Sequence, residues 1–289
     1  MLPLEGITVV ALEQAVAAPY ATRQLADLGA RVIKIERAVV GDFARNYDTE
    51  VNGLSSYFAW LNRGKESVTL DIKNSEDQLI LDSMLSQADV FIHNLIPGAV
   101  DRLGLGDREL RSRHSRLITC AISGYGHDGP YEHRKAYDLL IQCEVGFLSI
   151  TGSPESPAKA GISIADISAG MFAYSGILAA LYEREKTGEG TSLQVSLLDS
   201  LGEWMSQPYL FSHYGGNPVK PAGAEHSSIA PYGPFSAGDG STVFIGVQNE
   251  REWEVLCSRI LNNPELAKDE RFATNSLRVK NRKVLNRII

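Results

Sequence analysis

The chain has 289 residues, of which 44% are hydrophobic and 22% charged, enough apolar material to bury a core in one large or two modest domains and too much for a disordered polymer. Its formal net charge of −7 excludes a general nucleic-acid surface and leaves room only for a local basic pocket. No continuous apolar run reaches bilayer-spanning length and Met1-Leu2-Pro3-Leu4-Glu5 is not a signal-peptide start, so neither membrane nor nucleic acid is an expected partner and the expected address is cytoplasmic.

In chain order, Ile7 to Leu12 reads as a strand, the Ala-rich stretch through Leu25 as a helix stopped by Gly29, and Arg31 to Ile35 as a second strand. That βαβ unit implies parallel strands and an α/β fold class. A helix over Glu76–Ala88, a strand over Asp89–Ile92 and another over Arg116–Ala121 extend it to a Rossmann-like, nucleotide-binding type of sheet. Met171, Tyr174, Ile177, Leu178 and Leu181 recur at helical spacing between Ala169 and Glu185, and Gly188 closes that helix. A strand at Ser192–Ser196 and a helical pattern over Leu198–Phe211 come next.

The Gly/Pro-rich residues 215–223 read as a linker, which divides the chain into a large domain, 1–214, and a smaller one, 224–289. In the smaller part Ser241–Val247 reads as a strand and Glu250–Ile260 as an amphipathic helix containing Trp253 and Leu256. Asn281–Ile289 stops inside a helical pattern, from which a C-terminal truncation is expected.

The six histidines show no HxxxH or HExxH spacing, and no acidic cluster resembles a calcium loop, so no metal is expected. Cys120, Cys143 and Cys257 are odd in number and far apart, which suggests reduced core thiols. Asp166 lies in Gly161-Ile162-Ser163-Ile164-Ala165-Asp166-Ile167-Ser168, a carboxylate among small and apolar neighbours. Two readings stay open for it: N-cap of a helix beginning near Ile167, or a desolvated nucleophile that takes an acyl group covalently.

Six ordered stretches settle the context by resemblance. They are Leu4-Glu5-Gly6-Ile7, residues 25–37 around Asp27-Leu28-Gly29-Ala30, Asn62-Arg63-Gly64-Lys65-Glu66 through Asp71, Pro97-Gly98 through Leu105, Ser123-Gly124-Tyr125-Gly126 through Tyr131, and the Asp166 segment. Together the chain resembles the family III CoA-transferases, a family that also holds carnitine and bile-acid CoA-transferases and α-methylacyl-CoA racemases. The resemblance implies that Asp166 is the catalytic aspartate and coenzyme A, carried as acyl-CoA, the shared substrate. It implies that Arg37 meets the adenosine phosphate end, that Arg63 and Lys65 belong to a basic loop, and that Asn94 and Arg102 line the CoA site. Lys135 and Tyr137 are assigned to the same site; Asp138 and Lys135 either frame the acyl-CoA or orient the nucleophile, or they are simply a charged helix start.

In the racemases a histidine precedes the acidic residue; here it is Tyr137, a poor base at neutral pH. Acyl transfer is therefore the expected chemistry, with a racemase or a non-catalytic CoA-binding module as the alternatives. The implied cycle passes through aspartyl anhydride and aspartyl-CoA thioester, with backbone N–H groups near the helix start as candidates to steady oxyanions. Short dicarboxylates are the implied acids, with Arg37, Arg45, Arg63 and Arg134 available for a second carboxylate. An interlocked-ring homodimer and an active-site lid near Gly223 to Ser227, including His226, complete the expectation.

Overall fold

The computed structural model describes residues 1–289. Along the chain run β1 (Thr8–Leu12), α1 (Ala17–Asp27), β2 (Arg31–Glu36), α2 (Ser56–Asn62), β3 (Lys65–Thr69), α3 (Ser75–Leu85), β4 (Val90–His93), α4 (Asp107–Arg113), β5 (Ile118–Ser123) and α5 (Asp138–Glu144). A short hairpin, β6 (Gly152–Ser153) with β7 (Ser156–Pro157), precedes α6 (Ile164–Thr187), β8 (Ser192–Ser196), α7 (Leu197–Trp204) and α8 (Ser206–Gly215). The chain ends through β9 (Tyr232–Ser236), β10 (Thr242–Gly246), α9 (Glu250–Val255), α10 (Asn275–Lys280) and α11 (Arg282–Ile288).

Two compact units are present: residues 1–145 with 160–206, and residues 146–159 with 207–289. The segment 215–223 falls in the second unit, as do residues 207–214.

The first unit is built on a six-stranded sheet of order β3-β2-β1-β4-β5-β8, every neighbouring pair parallel. Val9, Val10 and Ala11 of β1 are fully buried, as a strand covered on both faces requires. Strand order reverses between β1 and β4, the place where open α/β sheets bind ligands beyond the carboxyl ends of their strands. One face carries a core of Val10, Ile35, Leu81, Leu85, Phe91, Leu110 and Leu117.

On α6, Ala165, Ala169, Ala173 and Ile177 are buried, as are Ala17, Ala18, Ala21 and Leu25 of α1. A Cβ on Gly170 would lie 2.7 Å from the Ala17 carbonyl oxygen and 2.9 Å from the Tyr20 ring. Only glycine permits that approach, which seats α6 on α1 one turn after Asp166. By length and composition α6 is apolar enough to cross a bilayer, contrary to the expectation from the sequence. It is nonetheless a packed element of this unit, with Arg184 buried and bound to Asp89 at 2.8 Å.

The second unit has an antiparallel β9–β10 pair and a core of Val247, Trp253, Leu256, Leu266, Phe272 and Leu285. Arg278 is buried there, donating to Glu250 at 2.6 Å and to the carbonyl of Ala230 at 2.9 Å.

Several elements depart from the reading of the sequence. The helix expected from Ala169 begins five residues earlier, at Ile164. The Leu198–Phe211 pattern breaks at Met205 into α7 and α8, and Glu250–Ile260 passes from α9 into a π-helical turn at Leu256–Ile260. Cys120 and Cys257 are buried but Cys143 is exposed, so only two of the thiols belong to cores.

Candidate active site

Asp166 is the third residue of α6, whose N-cap position is Ser163 with no side-chain cap. The cap comes instead from α5: the Asp138 carboxylate accepts the backbone N–H of Ala165 at 2.7 Å and of Asp166 at 3.4 Å. Its other oxygen accepts Nε2 of Gln142 at 2.6 Å, and Oε1 of Gln142, a fully buried side chain, accepts the N–H of Ala160 at 2.9 Å. The N-cap reading of Asp166 is therefore corrected. The N–H groups of Ile164 and Ile167 bond to the carbonyls of Ile162 and Ser163, so the first turn has no N–H left for an oxyanion and that expectation is corrected too.

Neither oxygen of the Asp166 carboxylate takes a hydrogen bond from the chain, and the residue keeps part of its surface in solvent. Burial of the carboxyl, and then the like charge of Asp138, pushes its pKa up to about 7. A carboxylate poised at neutrality, unbonded and partly accessible has the attributes of a nucleophile.

Around it stands a wall of aromatic residues that the sequence reading missed. The Tyr57 hydroxyl lies 3.4 Å from Oγ of Ser163, and Tyr47 meets the Tyr57 ring edge-on at 5.6 Å. Trp60 follows at 6.2 Å from Tyr57, with Tyr20 beyond it at 5.7 Å. Burial, then the charges of Asp42 and Asp166, pushes the Tyr47 hydroxyl up to about 12, so it stays a proton donor at neutral pH. Spacing was the available signal: Tyr57 and Trp60 are three apart on a helix capped by Ser55 and so share a face.

At the carboxyl edge of β1 and β2 lies a small cavity walled by Leu12, Gln14, Ile35, Arg37, Leu70 and Ile72. Asp166 is not among its walls; Asp42, which is, acts on the same Tyr47 that Asp166 does. Arg37 is exposed and reaches only neutral oxygens, Oε1 of Gln14 at 3.2 Å and the Gly41 carbonyl at 3.4 Å, which leaves its charge available to a phosphate. Asn94 staples the switch point, donating Nδ2 to the Gln14 carbonyl at 2.7 Å and accepting the Gln14 N–H at 2.9 Å. Both of its amide atoms are therefore engaged, and it shapes the site through Gln14. Arg102, in the 3₁₀ turn Asp101–Leu103, and Lys135 are exposed. Tyr137 occupies the N-cap position of α5 with 65% of its surface exposed.

Lys65 is a correction. It opens β3 and does not lie in a loop, and its ammonium is buried against Glu13 at 2.6 Å, the Pro19 carbonyl at 3.0 Å and Asn62 at 3.1 Å. With three donors satisfied it has none for CoA. The same network holds Lys34, 2.9 Å from Asp42 and 3.4 Å from Glu13, and Thr22, 2.6 Å from Glu13. Burial pulls Lys65 down to about 8 against the opposing pull of Glu13, whereas for Glu13 burial is outweighed by Lys65 and Lys34, which hold its carboxyl below the usual range.

Of the arginines expected to be free for a second carboxylate, Arg45 is bidentate on Glu36 at 2.8 and 2.6 Å and Arg63 bidentate on Asp27 at 3.0 and 2.7 Å. Arg134 lies over Tyr131 and 3.4 Å from Glu144. Only Arg37 lacks a carboxylate partner. No group of three or more His, Cys, Asp or Glu side chains is arranged to hold a metal ion.

Comparison with known proteins adds the chemistry of relatives. Residues 4–289 match the family model of CoA-transferase family III. The chain is 38% identical to succinyl-CoA:glutarate CoA-transferase of Mus musculus over 100% of its own length and 66% of that relative's. It is 38% identical to acetyl-CoA:oxalate CoA-transferase of Acetobacter aceti over 98% of the chain and 73% of the relative. A crystal structure of a CAIB/BAIF family protein from Brucella suis superposes with a TM-score of 0.83 at 38% identity, covering 99% of this chain and 77% of that one.

Proposed function

Because this chain belongs to CoA-transferase family III, we propose that it moves CoA from an acyl-CoA donor, succinyl-CoA foremost, to a short carboxylic or dicarboxylic acid through a covalent intermediate on Asp166. The observation that carries the reading is the Asp166 carboxylate: unbonded, partly accessible, beside an aromatic wall and held near a pKa of 7. The relatives act on glutarate and oxalate by name, which supports short dicarboxylates as the acid class.

In the proposed cycle the Asp166 carboxylate attacks the thioester carbonyl, the C–S bond breaks, and the products are a mixed anhydride and CoA thiolate. The thiolate attacks the aspartyl carbonyl, expelling the donor acid and leaving an aspartyl-CoA thioester. The acceptor carboxylate then attacks that thioester, and the released thiolate attacks the acceptor's acyl carbon, giving the new acyl-CoA and restoring Asp166. Every step exchanges one carboxylate or thiolate for another, so no net proton, electron or metal enters.

The rest of the site serves binding and the exclusion of water. Arg37 at the mouth of the β1–β2 cavity is assigned the phosphate end of CoA, with Arg102 and Lys135 as further exposed cations and Tyr137 beside the reacting end. The wall of Tyr47, Tyr57 and Trp60 shields the anhydride and thioester, which water would otherwise hydrolyse. Tyr47, protonated at neutral pH, can donate a hydrogen bond to an acyl oxygen or to the acceptor. We propose a homodimer, on the family pattern, and a cytoplasmic address as the default.

The test is a two-substrate assay: succinyl-CoA with glutarate, oxalate or acetate, following each acyl-CoA by chromatography and mass. Transfer to at least one dicarboxylate, lost in a folded Asp166→Ala variant, is expected. Transfer that survives in Asp166→Ala would remove the aspartyl mechanism.

A further inference from the structure

The hydrogen bonds that frame Asp166 form a chain with only one consistent polarity. The Ala160 N–H can only donate, so the Gln142 carboxamide must turn its oxygen there, at 2.9 Å, and its Nε2 toward Asp138, at 2.6 Å. The N–H groups of Ala165 and Asp166, at 2.7 and 3.4 Å, also only donate. Asp138 therefore faces donors on both oxygens, and an ionised carboxylate satisfies them. Gln142 has 0% exposure, so no bulk water can replace a broken joint, and a donor left facing a donor costs its full desolvation. The relay joins α5 to the turn that carries the reacting carboxylate.

We propose that Asp138 and Gln142 are positioning residues for Asp166, holding the first turn of α6 in the one frame from which its carboxylate reaches a thioester. This rests on the transferase reading. Asp166 makes no side-chain hydrogen bond of its own, so its aim is set by the backbone beneath it, and Asp138 grips that backbone at the Asp166 N–H itself. A displacement of about 1 Å at a reacting group costs on the order of 100-fold in rate. The groups whose charge acts here are Asp138 from α5 and, reached by the Asp166 charge, Tyr47; Ser163 and Tyr57 are the neutral hydroxyls alongside.

Charge and position pull in opposite directions, which makes the proposal testable by sign. Asp138→Asn removes the like charge that helps to raise Asp166, so on charge alone Asp166 becomes more fully ionised at pH 7 and its reaction speeds up by about two-fold at most. On position the same change slows it, because the introduced amide places a donor against Nε2 of Gln142, and flipping Gln142 only moves the clash to Ala160. The double variant Asp138→Asn/Gln142→Glu restores the polarity of the whole relay with the same atoms and the same net charge.

The experiment measures single-turnover acylation by succinyl-CoA, quenched and read by intact mass from pH 5 to 9, for the wild type and both variants. Alongside it, the Asp166 carboxyl is titrated by carbon-13 NMR without CoA. The expected result is a loss of 10-fold or more at pH 7 in Asp138→Asn, with the Asp166 midpoint moved to lower pH, and recovery to within about 3-fold of wild type in the double variant. An unchanged or accelerated single variant would overturn the proposal, and so would a double variant that melts like wild type yet stays 10-fold slow. Should Asp138→Asn not fold, the double variant decides alone by the same criterion. Absence of any acylation in the folded wild type would instead refute the transferase reading; the NMR titration then still tests the geometry, since an Asp166 midpoint unmoved in Asp138→Asn would show that Asp138 does not lie against Asp166, and the positioning claim would fall with it.

Discussion

Replacing Glu13 by Gln removes one charge from a cluster in which two carboxylates, Glu13 and Asp42, face two ammonium groups, Lys34 and Lys65, with side chains 0–2% exposed. Lys34 keeps Asp42 at 2.9 Å, but Lys65 loses its only counter-ion, at 2.6 Å, and retains neutral oxygens of Pro19 and Asn62. The cluster passes from neutral to one excess buried positive charge, which Lys65, drawn down to about 8 even beside Glu13, can shed only by giving up its proton. Breaking one side of a buried pair costs about 3–5 kcal/mol, a large part of the 5–15 kcal/mol typical of a folded domain. Adding Lys65→Met to Glu13→Gln removes both orphaned partners and should return most of the loss, because replacing both members of a pair is nearly neutral. Urea denaturation followed by circular dichroism at pH 7 measures both. A single-variant loss below about 1 kcal/mol, or a double variant no more stable than the single, would refute the claim that this network underpins the β1–α1 turn.

Three further outcomes follow from individual side chains. His93 is buried with Nδ1 unpartnered, and burial, then His127, lowers it from 6.5 to about 4; the unfolded chain therefore binds the proton first as pH falls. Stability should drop by about 3 kcal/mol between pH 6.5 and 4 and then level off, and His93→Leu should flatten that slope in denaturant melts. Native maleimide labelling at pH 7 should modify Cys143 alone, since Cys143 is exposed while burial pushes the Cys120 and Cys257 thiols to about 12 and about 11; labelling of Cys120 before unfolding would contradict the packing of β5. Arg37→Ala should weaken CoA binding about 10- to 100-fold by calorimetry, the worth of a charge-assisted contact, while leaving the melting temperature in place because the side chain is exposed.

Five of the six strands of the parallel sheet were legible as short, mostly apolar runs: Ser192–Ser196 coincides with β8 and Arg31–Ile35 falls within β2, whereas β3, with Lys65, Glu66 and Ser67 at its start, reads as a loop. β9 was not, since Gly233 and Pro234 in Tyr232–Ser236 are turn residues, tolerated here by a two-stranded edge pair. Asp166 was found, and Asp138 was named as a residue that could orient it, but not the route: with the helix starting at Ile164, its N-cap is filled from α5 by the Asp138 carboxylate, 27 residues before the Ala165 N–H that it accepts, a bond that no local pattern names. Lys65 misled for a related reason. A lysine after Gly64 looks like a loop cation until Glu13, 52 residues away, claims it, and long-range burial of a charge leaves no periodic trace in sequence. Gln142 was invisible on the same ground, because polarity says nothing of which faces meet, and the aromatic wall left only one trace, the three-residue spacing of Tyr57 and Trp60 on α2.

The most direct test of the central claim is chemical capture of Asp166. The chain is mixed with succinyl-CoA, trapped with hydroxylamine or borohydride, and mapped by peptide mass beside Asp166→Ala. The account predicts a CoA thioester in the intact mass and a hydroxamate or alcohol at residue 166, both absent from the variant. Turnover by the folded wild type with no trapped species, or an adduct that persists in Asp166→Ala, would contradict it.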